Sequence, residues 1–269
     1  MRPVMLTTLL TLSGLTLGSP LVHLNFESVP AGSANITLET GGPCWTYGVF
    51  GPGSQVELGA SLFAELQEST VAMWFRIDQH LEGGYGHCLF YAGGWPADWQ
   101  GNRLLLECGH PDRPDAGYAH EGLFWTVHAA GSTPTQCCST VDNISIGDWH
   151  HVAVTVRDAD THFYLDGAEL LPGASLEWNF GSAAVAQTFA DVAPIDTALL
   201  GCGQMWGEEI GLTGAIDEFR IYDHALATPE IQALATVPEP AAMATWLFIL
   251  ALLPRWSRAG LDRPSKLSR

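Results

Sequence analysis

The chain has 269 residues, room for one large core once its ends are set aside, since all-β sandwiches of about 200 to 250 residues form single domains. A hydrophobic content of 47% with 29 Gly and 16 Pro suits many short strands broken by turns, and no stretch reads as a long amphipathic helix. The 11 Lys and Arg against 29 Asp and Glu argue against a nucleic-acid partner, because so negative a field repels phosphates; it suits a solvated surface or a cation site.

The imbalance is concentrated in the body, where the basic residues are Arg76, Arg103, Arg113, Arg157 and Arg220. Residues 1–18 carry Arg2, an apolar run with interspersed Thr and Ser, and a small residue, Gly18, at the end. They predict a signal peptide cut by signal peptidase, because the run is shorter than the roughly 20 residues a spanning helix needs.

Residues 21–27 place Val22, Leu24 and Phe26 on one face and predict the first strand. Further strands are predicted at 56–58 and at 69–77, where Val71, Met73, Phe75 and Ile77 share one face and Ala72, Trp74 and Arg76 the other. Between Asp78 and Gly122 the pairs Gly-Gly, Trp-Pro and Pro-Asp interrupt the pattern, leaving 88–91 and 103–108 as strands among long loops. Loops of this kind gather at the ends of a sandwich and carry binding. Tyr85, Trp95 and Trp99 are the aromatic rings there that could stack on sugars, or equally cover the edge of the core.

Residues 123–129 alternate again. In the run 147–167, Val152, Val154 and Val156 alternate with Ala153 and Thr155; a polar interval leads to 162–165, and Asp166-Gly167 supplies a tight turn before 168–171. Two linked hairpins are expected. His150 and His151 are adjacent on the first of these strands, so they point to opposite faces and do not share a ligand. Thr228 and Pro229 offer an N-cap and a first helical residue for a helix to Ala235, with Ile231 where a capping box would need an acid.

The segment from Trp149 to Thr155, followed by Phe163-Tyr164-Leu165-Asp166-Gly167, is similar to the central signature of laminin-G-like jelly-roll modules of the concanavalin A-like superfamily. Gly214 to Tyr222, with Ala225-Leu226 and Pro229-Glu230-Ile231 after it, resembles that family's closing strand and terminal helix. The resemblance covers residues 21–235. It implies an all-β, two-sheet antiparallel jelly-roll sandwich and no particular reaction. Related sandwiches often hold a structural calcium ion, for which Glu27 and Asp217 are the candidate carboxylates.

Residues 237–258 contain Pro238-Glu239-Pro240, an apolar run over 241–253, and then Arg255 and Arg258; 259–269 form a basic tail. The order resembles the PEP-CTERM sorting signal of bacterial surface proteins. It implies recognition by an exosortase and delivery to the cell envelope, the surface or an extracellular matrix. A helix over 241–253 would reach about 20 Å against a bilayer core of about 30 Å, which suits transient insertion.

Cys44, Cys88, Cys108, Cys137, Cys138 and Cys202 predict disulfides in an exported chain, with the pairing open. Zinc is the rival: Cys108, His110, Asp112 and His120 are ligand types, but their spacing matches no structural zinc pattern. The main catalytic alternative is a glycoside hydrolase with paired carboxylates; around Asp217 the flanking positions of a Glu-x-Asp-x-x-Glu motif hold Ala215 and Arg220, so that motif is absent. The expectation is therefore a non-catalytic secreted or surface module that binds a glycan or a protein.

Overall fold

A computed structural model describes residues 18–79, 86–94, 102–109, 122–128, 135–140, 144–157, 160–170, 188–205 and 208–236. The chain divides into Met1–Val237 and Pro238–Arg269, and every described residue lies in the first unit. Residues 1–17 of the expected signal peptide, the rings Tyr85, Trp95 and Trp99, and the sorting-signal residues Pro238, Glu239, Pro240, Arg255 and Arg258 lie outside the described residues.

In chain order the strands are β1 (Val22–Leu24), β2 (Ser33–Ala34), β3 (Thr37–Gly42), β4 (Trp45–Phe50), β5 (Gln55–Glu57), β6 (Ser69–Ile77), β7 (His87–Gly93), β8 (Arg103–Cys108) and β9 (Gly122–His128). They continue as β10 (Thr135–Thr140), β11 (Trp149–Arg157), β12 (Asp160–Leu165), β13 (Ala168–Leu170), β14 (Thr197–Leu200), β15 (Cys202–Met205), β16 (Glu208–Gly211) and β17 (Gly214–Tyr222), before helix α1 (Thr228–Leu234). One sheet runs β13-β12-β11-β6-β17-β4-β3, with β1 also on β17; the other runs β10-β9-β8-β7-β14-β5-β2, and β15 pairs with β16 alone. All the pairings are antiparallel, as the jelly-roll expectation requires.

Period-two patterning explains the layers. Val71, Met73 and Phe75 of β6 and Val152, Val154 and Val156 of β11 enter the core between the sheets, where they meet Leu104 and Leu106 of β8 and Trp125 of β9. Phe75, Phe90, Phe219 and Trp125 are completely buried there, and truncating one such ring to Ala costs about 3–5 kcal/mol. The alternate residues Ala72, Ala153, Tyr164 and Tyr222 face outward and pack beneath Leu226, Ile231 and Leu234 of the α1 region.

The two expected hairpins form through the β11–β12 and β12–β13 pairings. Asp166 (φ 51°) and Gly167 (φ 77°) both take the left-handed conformation that a two-residue turn demands. Gly201 (φ 76°) makes the turn from β14 to β15; a Cβ there would fall 2.2 Å from the Phe50 ring. β17 changes neighbour along its length, pairing through residues 214–216 with β4 and through 219–221 with β1. Its irregularity lies at Asp217 and Glu218, the latter at φ 52°.

Two expectations are corrected. Cys44, Cys88, Cys108 and Cys202 carry thiols and are not in disulfides. Cys108 points into the core between the sheets, Cys88 and Cys202 share a separate apolar cluster, and Cys44 lies in the β3–β4 turn; the buried thiols act as small apolar side chains. For Cys137 and Cys138 only their place on β10 is described. Helix α1 is capped one residue earlier than expected, at Ala227, which puts Glu230 and not Ile231 at the acid position. Glu230 Oε2 accepts the Ala227 N–H at 2.8 Å; the methyl side chain of Ala227 returns no bond.

Candidate glycan-binding face

The sequence of β8 is Arg103-Leu-Leu-Leu-Glu107-Cys108, and strand alternation sorts it into two faces. Leu104, Leu106 and Cys108 join the inter-sheet core, which leaves Arg103, Leu105 and Glu107 on the outer face. On β9 the same sorting sends Leu123, Trp125 and Val127 inward and Phe124, Thr126 and His128 outward. The register places Arg103 opposite His128, Leu105 opposite Thr126 and Glu107 opposite Phe124.

This face divides into two halves. Towards β7 and β14 it is apolar, because Ile210 and Cys202 of the β15–β16 hairpin cluster with Cys88, Tyr91, Leu105 and Leu199. Gly203 allows that approach, since a Cβ would lie 2.8 Å from Cys88 Sγ. Tyr91 donates from its hydroxyl to Gly94 O at 2.6 Å.

Across β8 and β9 the face is polar yet buried: Arg103 is 2% exposed, His128 4%, Thr126 5% and Glu107 7%. Glu107 Oε2 is buried and has no hydrogen bond from any described residue. Burial pushes the Glu107 carboxyl up to about 7, against an opposing pull from the Arg103 guanidinium. A buried carboxyl oxygen with no donor is costly, so the group favours an incoming hydroxyl or its own protonation. In the sequence 103–108 reads only as a strand among long loops; the available signal was two opposite charges four residues apart on one strand face.

The other polar concentration lies at the β17 irregularity. Asp217 is completely buried, and its oxygens accept the N–H of Cys44 at 3.0 Å and of Glu218 at 2.8 Å. Burial raises its carboxyl to about 6, with the Cys44 and Arg220 contacts opposing and the charge of Glu27 adding to the rise. Glu218 in turn binds His23 Nε2 at 2.9 Å and pairs with Arg220. Glu27 and Asp217 are thus near enough to interact, but among the described residues no group of three or more His, Cys, Asp or Glu converges. One of the two carboxylates, Asp217, already holds two backbone N–H groups. The cluster is a junction that fixes the β3–β4 turn and β1 to β17.

His150 and His151 do point apart: the ring of His150 lies 6.1 Å from Phe75, that of His151 5.4 Å from Trp74.

Residues 50–232 match the family profile Laminin_G_3, described as the concanavalin A-like lectin/glucanases superfamily. The chain belongs to that superfamily. Comparison with curated proteins gives no match. Among solved structures, this superfamily member is similar to the Ruminococcus gnavus IT-sialidase CBM40 bound to α2,3-sialyllactose, at 13% identity and TM-score 0.55, covering 81% of this chain and 100% of that one. It is also similar to the leech intramolecular trans-sialidase, at 15% identity and TM-score 0.54 over 81% of this chain and 28% of that one. The NanB sialidase of Streptococcus pneumoniae matches at 16% identity and TM-score 0.53, over 82% and 28% of the two chains. At these identities the likeness establishes the shared sandwich fold.

Proposed function

We propose that the protein is a non-catalytic carbohydrate-binding module whose ligand lies on the outer face of β8 and β9. The observation that carries this reading is the buried polar strip of Arg103, Glu107, Thr126 and His128, with an acceptor oxygen on Glu107 that a sugar hydroxyl would satisfy. The likeness to a sialyllactose-bound CBM40 supports a glycan as the ligand class. Glu107 is the single carboxylate among the described residues of the strip, whereas glycoside hydrolysis ordinarily uses two flanking the bond.

The module is exported by its leader and sorted through the Pro238-Glu239-Pro240 signal by an exosortase to the envelope, cell surface or extracellular matrix. Its partners there are an extracellular glycan or a surface protein. Among the described residues no helix is long and apolar enough to cross a membrane.

The test is retention of the purified chain on a polysaccharide and glycoprotein array, with Arg103→Ala as the comparison. Retention by the wild type and its loss in the variant support the reading. No retention on any glycan overturns it, and release of reducing sugar from a bound polysaccharide would move the protein to the hydrolase class.

A further inference from the structure

The turn before β11 and the turn between β12 and β13 are joined through one imidazole. His150 Nδ1 lies 2.9 Å from Asp166 Oδ2, and His150 Nε2 lies 3.3 Å from Ser145 Oγ. Ser145 Oγ also lies 2.6 Å from Asp148 Oδ2. Asp166 Oδ1 is occupied by the N–H of His151 at 2.8 Å.

Ser, His and Asp in this sequence of contacts have the outline of a nucleophilic triad, but proton counting gives a different result. A hydroxyl has one proton to donate. Ser145 donates it to the Asp148 carboxylate, the shorter and charge-assisted contact. The hydroxyl then meets His150 Nε2 only as an acceptor, so Nε2 must carry a proton. Nδ1 must carry one too, because Asp166 Oδ2 accepts from it. All three contacts exist together only in the imidazolium form. In a neutral imidazole, Nε2 and Asp148 compete for the single Ser145 proton and one contact is lost.

We propose that His150 is a proton-operated latch, fastening the 145–148 turn to the Asp166-Gly167 turn when it is doubly protonated and releasing the 145–148 turn when it is not. The groups packed on it are Ser145 and Asp148 from its own turn, Asp166 from the hairpin turn, and the uncharged Phe75 ring from β6. Burial pushes the Asp166 carboxyl up, but its hydrogen bonds to His150 and His151 bring it below the usual range, so it stays an anion throughout.

The reporter is the Gly147 amide, which donates to Ile77 O at 2.8 Å and lies within the latched turn. Its protection against hydrogen exchange, corrected for the intrinsic pH dependence, is compared in the full chain at acid and alkaline pH. A charge-assisted hydrogen bond corresponds to roughly tenfold or more in the opening equilibrium, so protection should be higher by about that factor at the acid pH. Ser145→Ala should flatten the dependence, and Ser145→Thr, which keeps the hydroxyl, should retain it. Nitrogen-15 spectra of the wild type on the acid side should show both His150 nitrogens protonated. Protection that does not change with pH, or changes equally in Ser145→Ala, overturns the proposal.

Discussion

Cys44 and Asp217, 173 residues apart in sequence, are joined by a backbone N–H donated at 3.0 Å to a completely buried carboxyl oxygen. The same carboxyl holds the N–H of Glu218 at 2.8 Å, where β17 leaves β4 and takes up β1. Asp217→Ala leaves both donors without their acceptor, which should lower stability by about 2–4 kcal/mol in urea unfolding. Asp217→Asn keeps one acceptor oxygen and should lose about half as much. A loss under about 1 kcal/mol for the alanine variant would show that the junction does not hold the strands.

Stability should depend on pH through two buried groups of opposite sign. Asp217 rises from 3.8 to about 6 on folding, so its contribution is complete below pH 3.8 and is lost as pH rises through about 6, an effect on the order of 3 kcal/mol. His151 is completely buried and falls from 6.5 to about 3 because burial disfavours its charged form. Its contribution is complete above pH 6.5 and is lost as pH falls towards 3. Denaturation midpoints of His151→Leu measured across this range should fall less on acidification than those of the wild type; parallel curves would rule His151 out.

The Gly201 turn offers a test of the packing between the two sheets. Ala at this position must adopt φ 76° and place its Cβ 2.2 Å from the Phe50 ring. Gly201→Ala should destabilise by more than about 3 kcal/mol, combining backbone strain with displacement of a core ring. A melting temperature within a degree or two of the wild type would contradict the described turn.

Alkylation of the denatured chain without reductant, followed by peptide mapping, should modify Cys44, Cys88, Cys108 and Cys202 in full. In the native chain Cys88 and Cys108 should react far more slowly than Cys44, because both are buried and burial raises the Cys88 thiol well above its usual value. Protection of any of the four in the denatured state would mean that it is bonded.

Strand alternation made the scaffold legible in advance. The valines of β11, the four apolar residues of β6 and the Asp166-Gly167 turn each carry a local pattern that admits one arrangement, and the sandwich followed from them. The proposed binding face was harder to see because its residues come from strands that look like scaffold. Leu104 to Leu106 is an apolar run, and only the pairing of Arg103 with His128 and of Glu107 with Cys88 brings the polar side chains onto one buried surface. Cysteine number suggested bridges, but which layer a thiol enters is decided by register, and register is not readable from spacing. Asp166 was assigned to its turn; that it also holds His150 and His151 depends on a pairing across two strands.

The most direct test of the central claim is a paired measurement on Glu107→Leu in the full chain: glycan affinity by calorimetry, and stability by urea unfolding. Removing the Glu107 acceptor should weaken the glycan by roughly tenfold or more, with the urea unfolding showing that the variant is folded when its affinity is measured. A variant that binds as tightly as the wild type would contradict the assignment of the β8–β9 face as the glycan site.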